Sequence, residues 1–227
     1  MFRFTGAAIL FAAAALTAHA HFVFIVPDPK DPAKAVIVFS DDLDTDENVG
    51  TEKLATLKLT SRDAAGAEGA VEHKANKHDL TAKVPGSGPR VVYGTLHYGV
   101  MQKGDAKPYL LAYHPKAVVG AVATDKLVLG EKALPVELVP VAAGSNVKFK
   151  FISGGKPVAD AEVTVIKPDG GKDKAKTDKD GLTQAYPAQG RYGAWAKDVV
   201  AKPGEHSGKK FDEARHYATL VTEFPAK

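Results

Sequence analysis

The sequence predicts an all-β protein: two antiparallel β-sandwich domains of immunoglobulin-like type that follow a cleaved signal peptide. Three observations carry this. Short β-branched and aromatic runs such as Phe22-Val23-Phe24-Ile25-Val26 and Ala35-Val36-Ile37-Val38-Phe39 stop at Pro, Gly or Asp turns. No long amphipathic helical period follows the first 20 residues. From Val136 onward short strands and Gly or Asp turns alternate at regular spacing, as in a small sandwich. The predicted units are a signal peptide over 1–20, a first sandwich over 21–135 and a second over 136–227, the latter opened by the texture change at Val136.

The first unit rests on the basic Arg3, the apolar run from Ala7 to Leu16 and the small-x-small triplet Ala18-His19-Ala20. The run is shorter than the roughly 20 residues that cross a bilayer, so it reads as removed and not as an anchor. Cleavage after Ala20 makes His21 the first residue. Cleavage after Ala18 is disfavoured by the bulk of Leu16 at −3 and would leave His19-Ala20-His21 in front. The expected location is periplasmic or secreted, with no membrane span once the signal is gone.

Of 30 Lys and Arg only Arg3 leaves with the signal, so 29 against 27 Asp and Glu leaves a mature charge of +2. That balance speaks against nucleic acid or an anionic membrane as partner. With 0 Cys, disulfides, thiolate zinc sites, iron–sulfur clusters and cysteine nucleophiles are excluded together. Any metal is held by nitrogen and oxygen, and the loss of Met1 leaves Met101 as the one thioether.

In chain order, Phe22–Val26 and Ala35–Phe39 read as strands around the Asp31-Pro32 turn. The acidic segment Ser40 to Glu47 lacks the Gly and the closing Glu of a calcium loop, with Glu47 and Lys53 in their places. It reads as a solvated loop, with a carboxylate near a metal as the lesser alternative. Leu54 to Leu59 reads as a strand, Asp63 to Gly69 as a turn, and His73 and His78, in a Lys-rich stretch, as surface histidines. Strands follow over Arg90–Val100 and Tyr109–His114. In the second half, the segments Val136–Pro140, Asn146–Phe151, Gly154–Ile166 and Gly190–Ala196 read as strands with Gly and Asp turns, Ala214–Phe224 reads as the last strand, and Asp178-Lys179-Asp180-Gly181 reads as a turn and not a calcium site.

The chemistry lies in the histidines. An N-terminal His21 offers an α-amine and an imidazole nitrogen on one residue, a chelate suited to Cu(II) or Ni(II). His97 and His114 are the expected partners. If Gly104–Lys107 forms the turn, positions summing to 211 face each other, which sets His97 opposite His114, Tyr98 opposite Tyr113 and Val100 opposite Leu111. A longer loop, from Gln102, shifts that register. His216, on the last strand, is the reserve ligand. Because imidazole must be neutral to ligate, binding through these residues is expected to weaken below about pH 6.

Ala18-His19-Ala20-His21-Phe22 before a strand and a Pro, together with Gly155-Lys156-Pro157-Val158-Ala159-Asp160-Ala161-Glu162-Val163 and Thr177-Asp178-Lys179-Asp180-Gly181, resembles the periplasmic NikM-like family associated with nickel or cobalt uptake. The second half also resembles carboxypeptidase-regulatory-like sandwiches. The resemblance covers most of the mature chain and implies two β-sandwiches and transition-metal binding outside the cytoplasm, with a metal transporter or acceptor protein as partner. The N-terminal histidine further resembles the histidine brace of copper chaperones and lytic polysaccharide monooxygenases.

The expected function is therefore an exported copper- or nickel-binding protein serving uptake, delivery or buffering. A histidine-brace copper monooxygenase and a metal-free structural sandwich are the alternatives. The single Trp, Trp195, falls in the second half and no aromatic cluster adjoins His21 in the sequence, which argues against the monooxygenase. No Walker loop, GxGxxG or GxSxG pattern supports nucleotide or hydrolase chemistry.

Overall fold

A computed structural model describes residues 21–121 and 124–225. The signal-peptide reading falls on residues 1–20, outside the described part. The chain is all-β. In order it forms β1 (Phe22–Pro27), β2 (Lys34–Ser40), β3 (Lys58–Asp63), β4 (Glu68–Ala75), β5 (Asp79–Lys83), β6 (Arg90–Met101) and β7 (Tyr109–Val119). A single-turn helix α1 (Thr124–Leu127) precedes β8 (Val136–Ala143), β9 (Asn146–Ser153), β10 (Lys156–Pro157), β11 (Glu162–Ile166) and β12 (Lys172–Lys176). The last strands are β13 (Tyr186–Pro187), β14 (Gly190–Val200), β15 (Gly204–His206), β16 (Lys209–Phe211) and β17 (Glu213–Phe224). Among the described residues no helix is long and apolar enough to cross a membrane.

Eleven strands join in the order β1-β2-β5-β4-β3-β6-β7-β17-β14-β11-β12. The bend lies in β4, whose first half pairs with β3 and whose second half pairs with β5. It folds β1, β2 and β5 back over the middle of the sheet, where β1 packs across β7 and β17. A smaller sheet of β8, β9, β10 and β13 covers the other side. The predicted unit boundary falls just before β8, and β17 from the second half pairs in parallel with β7 from the first, so one sheet runs through both halves.

Strand alternation then sorts the side chains. Odd residues of β7 and β17 (Tyr113, Ala117, Val119, Val221) enter a first core with β1, β2 and β5. Even residues (Val118, Ala218, Leu220) enter a second core with Leu138, Phe149 and Phe151 of β8 and β9. On β6 the parity reverses: Val92 and Leu96 face the first core, Val91 and Tyr93 the second.

Three local readings need correction. Leu54 sits on a 3-10 turn over Glu52–Leu54 and the strand starts only at Lys58. The polar stretch through His73 is strand β4, stable because only alternate side chains of a surface hairpin need burial. His73 and His78 are half-buried, each ring within hydrogen-bond distance of a backbone carbonyl, Leu57 at 2.8 Å and Val49 at 3.0 Å. The turn at Asp178 holds: its carboxylate accepts the backbone N–H groups of Asp180 and Leu182 at 2.9 and 3.0 Å.

Candidate metal sites on opposite faces of one strand

His21 stands immediately before β1, over the first-core face of β7. Its Nε2 lies 2.8 Å from Asp46 Oδ2, and its carbonyl accepts the Tyr113 hydroxyl at 3.2 Å. The His21 bond, followed by the backbone and side-chain N–H groups of Asn48, holds the Asp46 carboxyl down at about 2. Asp46 is thus a carboxylate at any ordinary pH and accepts a hydrogen bond from the Nε2–H of His21. In a neutral ring this contact selects the tautomer whose lone pair is on Nδ1, the ring nitrogen nearest the backbone nitrogen of the same residue. Asp46 belongs to the acidic segment read as a solvated loop, and the structure brings this carboxylate to the histidine.

Aromatic rings surround this corner. Phe39 lies 5.6 Å from the His21 ring, Tyr98 and Tyr113 pack on Phe39 at 5.6 and 5.7 Å, and Trp195 stacks on Phe22 at 4.1 Å. The expectation that no aromatic cluster adjoins His21 is corrected. The rings come from β2, β6, β7 and β14, far apart in sequence and close in space.

The other predicted ligands gather on the opposite face. His114, an even residue of β7, is buried, with Nδ1 3.1 Å from Thr95 Oγ1 and Nε2 2.9 Å from Nδ1 of His216 on β17. Burial, followed by the nearby His216 and His97, pushes the His114 imidazole down to about 3. Burial also lowers His216, against an upward pull from Asp198. His97, on β6, is lowered by desolvation and then by His206 of β15, whose ring centroid is 5.3 Å from its own. The structure therefore brings His97, His114 and His216 to one face and sets His21 on the other, so the expectation of a single site joining all of them to His21 is corrected. Alternation is the reason: Tyr113 points to His21, and His114, the next residue, points away.

The register also differs from the expected one. Met101 pairs with Tyr109 across a loop from Gln102 to Pro108, and the ladder shifts between His97 and Gly99, leaving Tyr98 unpaired in a bulge. His97 consequently faces Ala112, Leu96 faces Tyr113 and Val100 faces Leu110. Thr95, not His97, is the residue across from His114. His97 and His114 share a face as diagonal neighbours.

His206 was missed in the sequence. Its signal was the following Ser207-Gly208, both at positive φ (49° and 77°), which closes a two-residue hairpin between β15 and β16. Next along the same face, Lys116 and Glu137 form a fully buried ion pair at 2.6 Å. It anchors the segment after α1: Lys116 donates to the Leu127 carbonyl, and Glu137 accepts the N–H groups of Leu129 and Gly130.

Compared with known protein families and with curated proteins, the chain matches none.

Proposed function

We propose that this chain is an exported protein that captures a transition-metal ion, copper or nickel, at its mature N-terminal histidine, for uptake, delivery or buffering with a transporter or acceptor protein as partner. The supporting observation is the 2.8 Å contact between His21 Nε2 and Asp46. With the Nε2 proton committed to the carboxylate, Nδ1 is the ligating nitrogen, and with the α-amine freed by cleavage it closes a six-membered chelate ring. Metal-bound histidines commonly donate their second ring N–H to a carboxylate in this way. Tyr113 holds the carbonyl of the same residue, so ring and amine are presented in a fixed relation.

The test is a Cu(II) and a Ni(II) titration of the chain beginning at His21 beside the same chain with its α-amine acetylated. Acetylation leaves the imidazole intact and is expected to abolish this binding event. Equal affinity in both chains would refute the chelate.

A copper monooxygenase remains the second reading, favoured by the rings of Phe39, Tyr98 and Tyr113 beside His21. A histidine brace requires a second imidazole near the first. Here the neighbour of His21 is a carboxylate, which is why binding is preferred over oxidation. Peroxide formation by the copper-loaded chain with ascorbate separates the two.

A further inference from the structure

We infer that His97, His114, His206 and His216 form a second transition-metal site, separate from the N-terminal chelate and on the other face of the central sheet, for Cu(II) or Ni(II) held by imidazole nitrogens.

The placement comes from register. His97 of β6 pairs with Ala112 of β7, Ala112 with His216 of β17, and His216 with Asp198 of β14, so one row crosses four adjacent strands. The small, fully buried Ala112 lies between the two histidines in this row, and His114 stands two residues along β7 on the same face. His206 comes from the β15–β16 hairpin beside β6 and brings a fourth ring up to His97.

The donor geometry points to the ion. His114 Nε2 and His216 Nδ1 are 2.9 Å apart. In the metal-free chain this contact is a hydrogen bond between the two rings, and a tautomer change at the donor ring would turn lone pairs of both nitrogens toward an ion; all-imidazole ligation suits Cu(II) or Ni(II). Thr95, within reach of His114 Nδ1, orients the ring from behind as an outer-sphere partner does.

A simple hydrogen bond between two core histidines would need neither His97 nor His206. Four imidazoles lie on this face with Asp198 as the nearby acid, and that carboxylate accepts the Ser153 hydroxyl at 2.5 Å. Among the described residues no three donors already converge on one point. The hydrogen-bonded pair is thus the fixed half of the site, and His97, exposed on a groove of about 840 Å³ that it shares with His206, closes on the ion by rotamer change. The groove is the route of entry.

The experiment uses CuCl2 and NiCl2 against the full mature chain, with bound metal counted after equilibrium dialysis. Two ions per chain are expected. His216→Gln removes one donor of the fixed pair at a half-buried position and is expected to lower the count to one, as is His97→Gln, with circular dichroism verifying the fold of each. In these variants the remaining ion must be the one lost on acetylating the α-amine. Because that chelate is measured independently, failure of either site is distinguishable from failure of the other. A wild-type count of one that ignores both substitutions, or a count of two that ignores both, overturns the second site.

Discussion

Tyr113 and His114 are consecutive on β7 and serve opposite faces of one sheet: the Tyr113 hydroxyl reaches the His21 carbonyl at 3.2 Å, while His114 Nε2 sits 2.9 Å from His216. His21 and the His114–His216 pair are thereby separated by a single layer of backbone. The consequence is that each can be perturbed alone.

Replacing Asp46 with Asn keeps the shape of the contact and removes its charge. Outer-sphere partners of this kind tune affinity by roughly 10–100-fold, so Asp46→Asn is expected to weaken Cu(II) binding at His21 within that range. Competition titration against a chelator measures it, and unchanged affinity would show that Asp46 plays no part. The contact also has a pH signature. The folded pKa of Asp46 lies below its ordinary 3.8, at about 2. The stabilisation it lends is therefore complete above about pH 4 and lost as pH falls toward 2.

Tyr113→Phe deletes one hydrogen bond to the His21 backbone without opening a cavity. A loss of about 1 kcal/mol of stability is expected from denaturant midpoints. Copper affinity at the N-terminus should fall with it, since the residue carrying both donors is no longer tethered. A stability loss with full affinity would confine Tyr113 to packing.

In the metal-free chain the buried His114 sets a different pH dependence. Its folded pKa, about 3, lies below the 6.5 of a free imidazole, so the unfolded chain takes up a proton that the folded one refuses. Stability is full above about pH 6.5 and declines as pH falls from there toward 3. Urea midpoints between pH 7 and 4 should show this slope, and His114→Gln should flatten it. An equal slope in the variant would place the titration elsewhere.

Lys116 and Glu137 are both fully buried and joined at 2.6 Å. Removing either charge alone strands the other, at an expected cost of about 3–5 kcal/mol, whereas replacing both with apolar residues of similar volume costs far less. Glu137→Gln measured beside the double variant Lys116→Met/Glu137→Leu tests this by chemical denaturation.

Much of the fold was legible in the sequence because burial on both faces writes itself as continuous apolar runs, as in β1 and β2. The turn at Asp178 was legible from its Asp-x-Asp-Gly chemistry. What failed was register. Gly104 announces a turn but not its length, and the bulge at Tyr98 is marked only by Gly99, at φ 136°, a glycine inside a strand that does not by itself say how the register shifts. The parallel pairing of β7 with β17, which carries His216 to His114, spans about a hundred residues and cannot be read from either strand. His206 was hidden because its hairpin contains no hydrophobic alternation and announces itself only through Ser207-Gly208. His21 stood out as a candidate from its position alone, while Asp46 needed the fold to bring a loop carboxylate to it.

Residue 21 is proposed to bind metal through its own amine and ring. Nitrogen couplings in the electron paramagnetic resonance spectrum of the Cu(II)-loaded His216→Gln chain, recorded before and after acetylation of the α-amine, test it most directly. A spectrum with at least two nitrogen donors that disappears on acetylation is expected. A signal that survives acetylation unchanged would contradict it.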